Sequence, residues 1–362
     1  MTTQEIIDLE QQYLAPTYGR PSIVLDRGSG VYIYDLDGNR YLDFIGGIAV
    51  NSLGHAVPEI IGAVSQQTAK LMHVSNLYHT SPHALLAQLL VENAFPSKVF
   101  FCNSGSESIE AALKFSRRWA YGEGGEAKHE IISFEHSFHG RTYGAISATA
   151  QPKYHEGFMP MLPGMVYLPF NDAGALDQAI SKEKTAAVIV EPLQGEGGVN
   201  PAQVEFLSMI RSLCDERNVA LIFDEIQCGL CRTGKFFAYQ HHGIEPDVMT
   251  LAKPLGGGLP IGAVLMKPHI ADQLKPGLHG STFGANPVVC HVATAVVKKM
   301  LAEDIADRAA SSGKALMDGL RSLQQRHSDI KDVRGLGLLV GVEFEGEVAG
   351  IVTACQEKGL LV

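Results

Sequence analysis

No apolar run in this chain approaches the 18 or so residues of a membrane span, and its first residues, MTTQEIIDLE, offer neither a basic start nor an apolar stretch for an export signal. Those absences predict a cytoplasmic protein with no membrane partner. A surplus of positive charge is also missing: 29 Lys+Arg against 39 Asp+Glu leave a net charge of −10, which gives no general attraction to a phosphate backbone, so nucleic acid is excluded as an expected partner. Cysteine is sparse, six in 362 residues, and no N-x-[ST] sequon occurs; reduced, buried thiols are expected rather than a disulfide framework. Repeats, low-complexity tracts and charge blocks are absent too. What remains is 46% apolar and 19% charged residues over a length that suits two domains, the profile of a globular enzyme.

The pattern along the chain is mostly strand then helix. Val31–Phe44 alternates apolar and polar residues around Asp37-Gly38, a hairpin signal. Helices are expected from Pro58, with Ile61, Val64, Thr68 and Leu71 on one face, and at Pro82–Asn93. Short β-branched runs follow at Val99–Cys102, Ala186–Val190, Val219–Phe223, Val248–Leu251 and Ile261–Met266, with helices over Glu107–Trp119 and Val204–Glu216. Such alternation predicts an α/β fold with a mainly parallel sheet covered on both faces. Pro287–Leu301 and Ala309–Gln325 read as helices and Leu336–Phe344 as a strand, forming a smaller α+β piece.

Three motifs point elsewhere and fail on inspection. Gly229-Leu-Cys-Arg-Thr-Gly234-Lys235 fits the first seven positions of a nucleotide P-loop, but Phe236 stands where Mg²⁺ binding needs Ser or Thr. Cys228 and Cys231 form a CxxC, yet the adjacent His241 and His242 are poor partners on one metal, so no metal site is expected. Gly335-Leu-Gly337 lacks dinucleotide-binding spacing.

Four other signals each fall where an open α/β sheet binds ligands, at the carboxyl ends of strands. Val99-Phe-Phe-Cys102 runs into Asn103-Ser104-Gly105-Ser106-Glu107 and a helix, whose free N–H groups suit a phosphate. The apolar strand Val219–Phe223 ends in Asp224, a carboxylate that would be costly there unless it faces a cation such as a protonated pyridine nitrogen. Lys253 leaves a strand beside the glycine run Gly256-Gly-Gly258, where desolvation favours the neutral amine a Schiff base needs. Phe138-His139-Gly140-Arg141-Thr142 offers an aromatic plane for stacking and a guanidinium for a carboxylate. Each alone is commonplace; a phosphate cup, a ring-nitrogen acid, a Schiff-base lysine and a stacking ring together are the fittings for pyridoxal 5′-phosphate (PLP).

At these residues the sequence resembles the class-III (ω-type) PLP-dependent aminotransferases, most closely the branch acting on acetylornithine in arginine biosynthesis. The resemblance runs from Thr17-Tyr18-Gly-Arg20 through Asp43–His55, Glu191-Pro-Leu-Gln-Gly-Glu196-Gly-Gly198, Asp224-Glu-Ile-Gln227, Arg232-Thr-Gly234 and Leu251–Gly262 to Gly280-Ser-Thr282-Phe-Gly-Ala-Asn286-Pro287. It implies a fold-type-I architecture: a large domain over 58–288 with a mainly parallel seven-stranded sheet, and a small α+β domain from 1–57 and 289–362, in a homodimer. It further implies Lys253 as the Schiff-base lysine, Asp224 at the pyridine nitrogen, Gln227 at the phenolic oxygen, and Ile226 and Phe138 on the two ring faces. Ser104, Gly105 and Ser106 would bind the phosphate, with Thr282 reaching it from the partner subunit. Arg141 would hold the substrate α-carboxylate, Tyr18 and Ser281 would line the substrate side, and Glu196 would stand near a second carboxylate site.

The implied reaction transfers the δ-amine of N²-acetyl-L-ornithine to 2-oxoglutarate. Ile48 stands where ornithine δ-aminotransferases look to have a tyrosine, and an apolar side chain suits an acylated nitrogen better than a free ammonium. The alternatives are another ω-amino donor (ornithine, succinylornithine, 4-aminobutyrate or a carrier-linked aminoadipate semialdehyde) or PLP binding without efficient turnover. Members of the family continue past the position of Val362 with an arginine-containing segment before a Pro-Pro, so the small domain is expected to be shortened.

Overall fold

The computed structural model describes residues 1–362. Its centre is a seven-stranded sheet built from β1 (Lys98–Cys102), β2 (Glu130–Phe134), β3 (Met165–Leu168), β4 (Thr185–Val190), β5 (Ala220–Asp224), β6 (Val248–Leu251) and β7 (Gly262–Met266), in the spatial order β1-β7-β6-β5-β4-β2-β3. Only β7 is antiparallel to its neighbours; the remaining strands run in one direction. Their carboxyl ends therefore share one edge, and the amino end of β7 joins them there.

The sheet is buried on both faces, and its side chains divide by the two-residue period of a strand. Along β5, Leu221 and Phe223 enter one core, with the helices Ser81–Glu92, Val204–Arg217 and Pro287–Ala302. Ala220 and Ile222 enter the other, against the helix Gly105–Gly124. A double-faced burial explains why these strands read as continuous apolar runs rather than alternating ones.

Outside the sheet, Leu25–Ser29, Tyr32–Asp35 and Arg40–Asp43 form an antiparallel meander, and Leu360–Leu361 pairs in parallel with Arg40–Asp43. Both chain ends thus share one sheet. The helix Ile305–Gln324 packs on a hairpin of Ile330–Leu336 and Leu339–Phe344. Here the sequence expectation of a single strand is corrected: the chain reverses at Gly337-Leu338, and the first arm, IKDVRGL, carries too much charge and glycine to read as a strand. The helix from Pro58 ends at Thr68, and its face is also corrected. Val64 packs on the core as expected, but Ile61 is 54% exposed and Ile60, Ala63 and Gln67 turn inward in its place.

Between the meander and the helix Pro58–Thr68, Gly46, Gly47, Ile48 and Ala49 have φ of 56°, 64°, 62° and 62°, one turn of left-handed helix. The paired glycines adopt it freely, but a β-branched residue there is strained. Ile48 is 64% exposed on this turn.

Candidate active site

Five chain segments that leave the parallel strands at the shared edge surround a cavity of about 370 Å³. After β1, Ser104 caps the helix Gly105–Gly124: it has extended geometry and its hydroxyl accepts the Glu107 N–H at 3.1 Å. Glu107 reaches back to the Asn103 N–H and side-chain amide, both at 2.8 Å, closing a reciprocal cap. The amides of Gly105 and Ser106 have no carbonyl behind them and point their dipole into the cavity. Ser104 therefore fixes the helix start, and its hydroxyl, which only accepts there, keeps its own proton to donate.

At the end of β5, Asp224 is buried, with Oδ1 accepting the Ile226 N–H at 3.0 Å and the Thr250 hydroxyl at 3.3 Å. Its Oδ2 lies 2.7 Å from Nδ1 of His139, a fully buried imidazole. Burial opposes charge on His139, but the hydrogen bond and charge of Asp224 prevail and raise its pKa above the usual value. After β4 comes a third carboxyl: Glu191 accepts the Phe138 N–H at 3.0 Å and the Gly195 N–H at 3.3 Å. Burial pushes its pKa up to about 7, with His139 pulling the other way and Asp224 adding to the rise.

Two residues beyond β6, Lys253 enters the same cavity, half-buried, with φ of 22° just before Pro254. A residue before proline favours extended geometry, so this backbone is strained, and such strain persists at sites that use it. Burial lowers the Lys253 pKa from the ordinary lysine value, against the opposing charges of Asp224, Glu191 and Glu196.

Of the residues singled out in the sequence, Ser104, Gly105, Ser106, Phe138, Glu196, Asp224, Ile226, Gln227 and Lys253 all line this cavity. Arg141 lies at its rim, exposed, with its N–H bound to the Ser106 hydroxyl at 3.1 Å and its guanidinium 5.5 Å from the Phe138 ring. Ser281 stands one step back: its hydroxyl accepts from the Asn103 amide at 3.0 Å and from the Gly284 N–H at 2.9 Å. Thr282 is exposed on the same loop. Tyr18 lies outside the cavity of this single chain, 73% exposed with Arg20 over its ring at 5.2 Å, on a segment that has neither regular structure nor buried residues. His139 and Glu191 were missed. Of the two, Glu191 carried a usable signal, since it closes an apolar strand just as Asp224 does. Cys228 and Cys231 are buried free thiols, and burial raises both, Cys231 to about 12.

A class-III aminotransferase family model matches residues 13–362. The chain belongs to the class-III aminotransferases. Among its relatives, the acetylornithine aminotransferase of Methanocaldococcus jannaschii is 47% identical over 100% of this chain and 91% of its own length. Among solved structures, the ornithine aminotransferase of Toxoplasma gondii superposes with a TM-score of 0.96 at 36% identity, over 100% of this chain and 87% of the other. The acetylornithine aminotransferase of Elizabethkingia anophelis does so with a TM-score of 0.89 at 34% identity, over 100% and 90%.

Class-III aminotransferases use PLP, and this cavity fits it. A cap of free amides at Gly105 and Ser106, a buried carboxylate at Asp224, and an amine at Lys253 biased toward neutrality answer the phosphate, the ring nitrogen and the aldehyde in turn. A methyl on Gly105 would lie 3.0 Å from Ile226, so the bare backbone is what lets Ile226 lean over the helix start. No helix is long and apolar enough to cross a membrane.

Proposed function

We propose that this chain transfers the δ-amine of N²-acetyl-L-ornithine to 2-oxoglutarate, giving N-acetyl-L-glutamate 5-semialdehyde and L-glutamate, as a cytoplasmic homodimer in arginine biosynthesis. The observation that carries it is the meeting of Lys253, Asp224, Gln227 and the Gly105 helix start in one cavity, in a chain whose near relatives are named for that activity. The exposed Ile48, apolar where a hydroxyl would favour a free ammonium, supports the acylated donor.

When bound, PLP supplies an electron sink that makes the C–H bond beside the reacting nitrogen acidic. Asp224, steadied by His139, would hold its ring nitrogen protonated, Gln227 would bind its phenolic oxygen, and Phe138 and Ile226 would enclose the ring. The Lys253 Nζ, kept toward its neutral form by burial, would take the proton from the carbon bearing the substrate amine and carry it away, so that this carbon is left to become the product carbonyl. Arg141 positions the substrate carboxylate at the rim with a planar two-toothed grip. Thr282 and Tyr18 would complete the site across a subunit interface, since both are exposed in one chain.

The second reading, free ornithine as donor, is favoured by the 0.96 TM-score to an ornithine aminotransferase. Single-turnover spectra of the PLP-loaded protein with a panel of donors separate the two. Acetylornithine should react at least tenfold faster than ornithine or 4-aminobutyrate; a reversed order would replace the proposal with the second reading.

A further inference from the structure

Tyr154 lies in a short helical turn, Pro152–Tyr154, that belongs to none of the motifs above. Its hydroxyl donates to Oε1 of Glu196 at 3.1 Å. The guanidinium of Arg141 lies 4.0 Å from its ring centroid, and the Phe138 ring meets it edge-on at 5.8 Å. The Lys153 ammonium is a second cation, 4.7 Å from the same centroid. One half-buried side chain thus holds the anionic group at one side of the cavity mouth and the cationic group at the other.

We propose that Tyr154 is a positioning residue that lets one site take both a monocarboxylate amino donor and a dicarboxylate acceptor. The inference rests on the roles given above to Arg141 and Glu196. Its ring gives Arg141 a face to lie on, which every substrate uses through its first carboxylate. Its hydroxyl binds the Glu196 carboxylate and turns it toward the tyrosine, which lessens the repulsion met by a second carboxylate entering beside it. Only the dicarboxylate feels that second effect. A phenylalanine would keep the platform and release Glu196; a leucine would remove both.

The test is calorimetric binding of two unreactive probes, glutarate and valerate, to the PLP-loaded protein, alongside the Tm of each variant. Tyr154→Phe should weaken glutarate by about threefold to tenfold, the range of a partly exposed hydrogen bond to a charged group, while valerate moves less than twofold. Tyr154→Leu should weaken both. In a Glu196→Ala background the Tyr154→Phe effect on glutarate should vanish, because the two residues act as one unit. Equal losses for both probes in Tyr154→Phe, or a glutarate loss that persists without Glu196, would overturn the inference, as would no loss at all. Failure of both probes to bind the unaltered protein would instead sink the underlying reading of Arg141.

Discussion

His139 Nδ1 and Asp224 Oδ2 lie 2.7 Å apart, with the imidazole fully buried, so the carboxylate that faces the cavity is backed by a ring N–H rather than by water. The raised pKa of His139 keeps that proton in place. Removing the imidazole should leave Asp224 with one good partner fewer. For His139→Leu we expect turnover to fall by about tenfold to a hundredfold, the worth of a hydrogen bond to a charged group, together with weaker PLP retention on dialysis. A variant with unchanged turnover and retention would show that the contact is packing alone.

Lys253 should be the most reactive lysine of the PLP-free protein at mildly alkaline pH. Its lowered pKa means that more of it is neutral at a given pH than of an exposed lysine. Brief treatment with an amine-directed reagent near pH 8, followed by peptide mapping, should find Lys253 modified ahead of the rest, and uniform labelling would contradict the assignment. Lys253→Ala should abolish transamination, since no other amine lines the cavity.

Two glycines at the site should respond differently to alanine. A methyl at Gly195 would overlap the amide end of Gln227, a flexible tip that can swing away. Gly195→Ala should therefore fold with little change in Tm but bind PLP more weakly. A methyl at Gly262 would instead overlap the Ser104 carbonyl, backbone that is fixed by the helix cap. Gly262→Ala should lose about 1–3 kcal/mol of stability, as overpacked interiors do. Equal Tm losses in thermal melts would remove the distinction.

Glu225 makes stability depend on pH. Its carboxyl is fully buried and accepts the Ala238 and Tyr239 N–H groups at 2.6 and 2.7 Å, yet burial pushes its pKa up to about 7, with those hydrogen bonds pulling it down and Asp224 adding to the rise. Between the ordinary carboxyl range and pH 7 the folded chain holds a proton that the unfolded chain has lost, so stability falls as pH rises through that window. From pH 4.5 to 7.5 the loss from this group is roughly 3 kcal/mol. Denaturant unfolding should show a shallower decline for Glu225→Gln, even though the amide disturbs one hydrogen bond and lowers stability overall. Parallel pH profiles would rule the group out.

The large sheet was legible wherever a strand was apolar on both faces, as at Val248–Leu251, where expectation and structure coincide. β2 and β3 went unread because Glu130, Ser133 and Tyr167 interrupt short runs whose partners lie far along the chain. The same contrast holds for the site. Asp224 and Lys253 announce themselves by chemistry that is odd for their local surroundings. His139 and Tyr154 do not: each matters through a neighbour brought in by the fold, Asp224 from 85 residues away and Glu196 from 42.

The one reversed strand decides how firmly the lysine is held. Because β6 climbs to the ligand edge and β7 descends from it, the link 252–261 never has to traverse the sheet, and both of its ends run straight into paired backbone. A strand of the common direction would have required a crossover to the far edge, leaving position 253 moored on one side only. As built, position 253 is moored on both sides, and the reach of its amine is set by its own side-chain bonds.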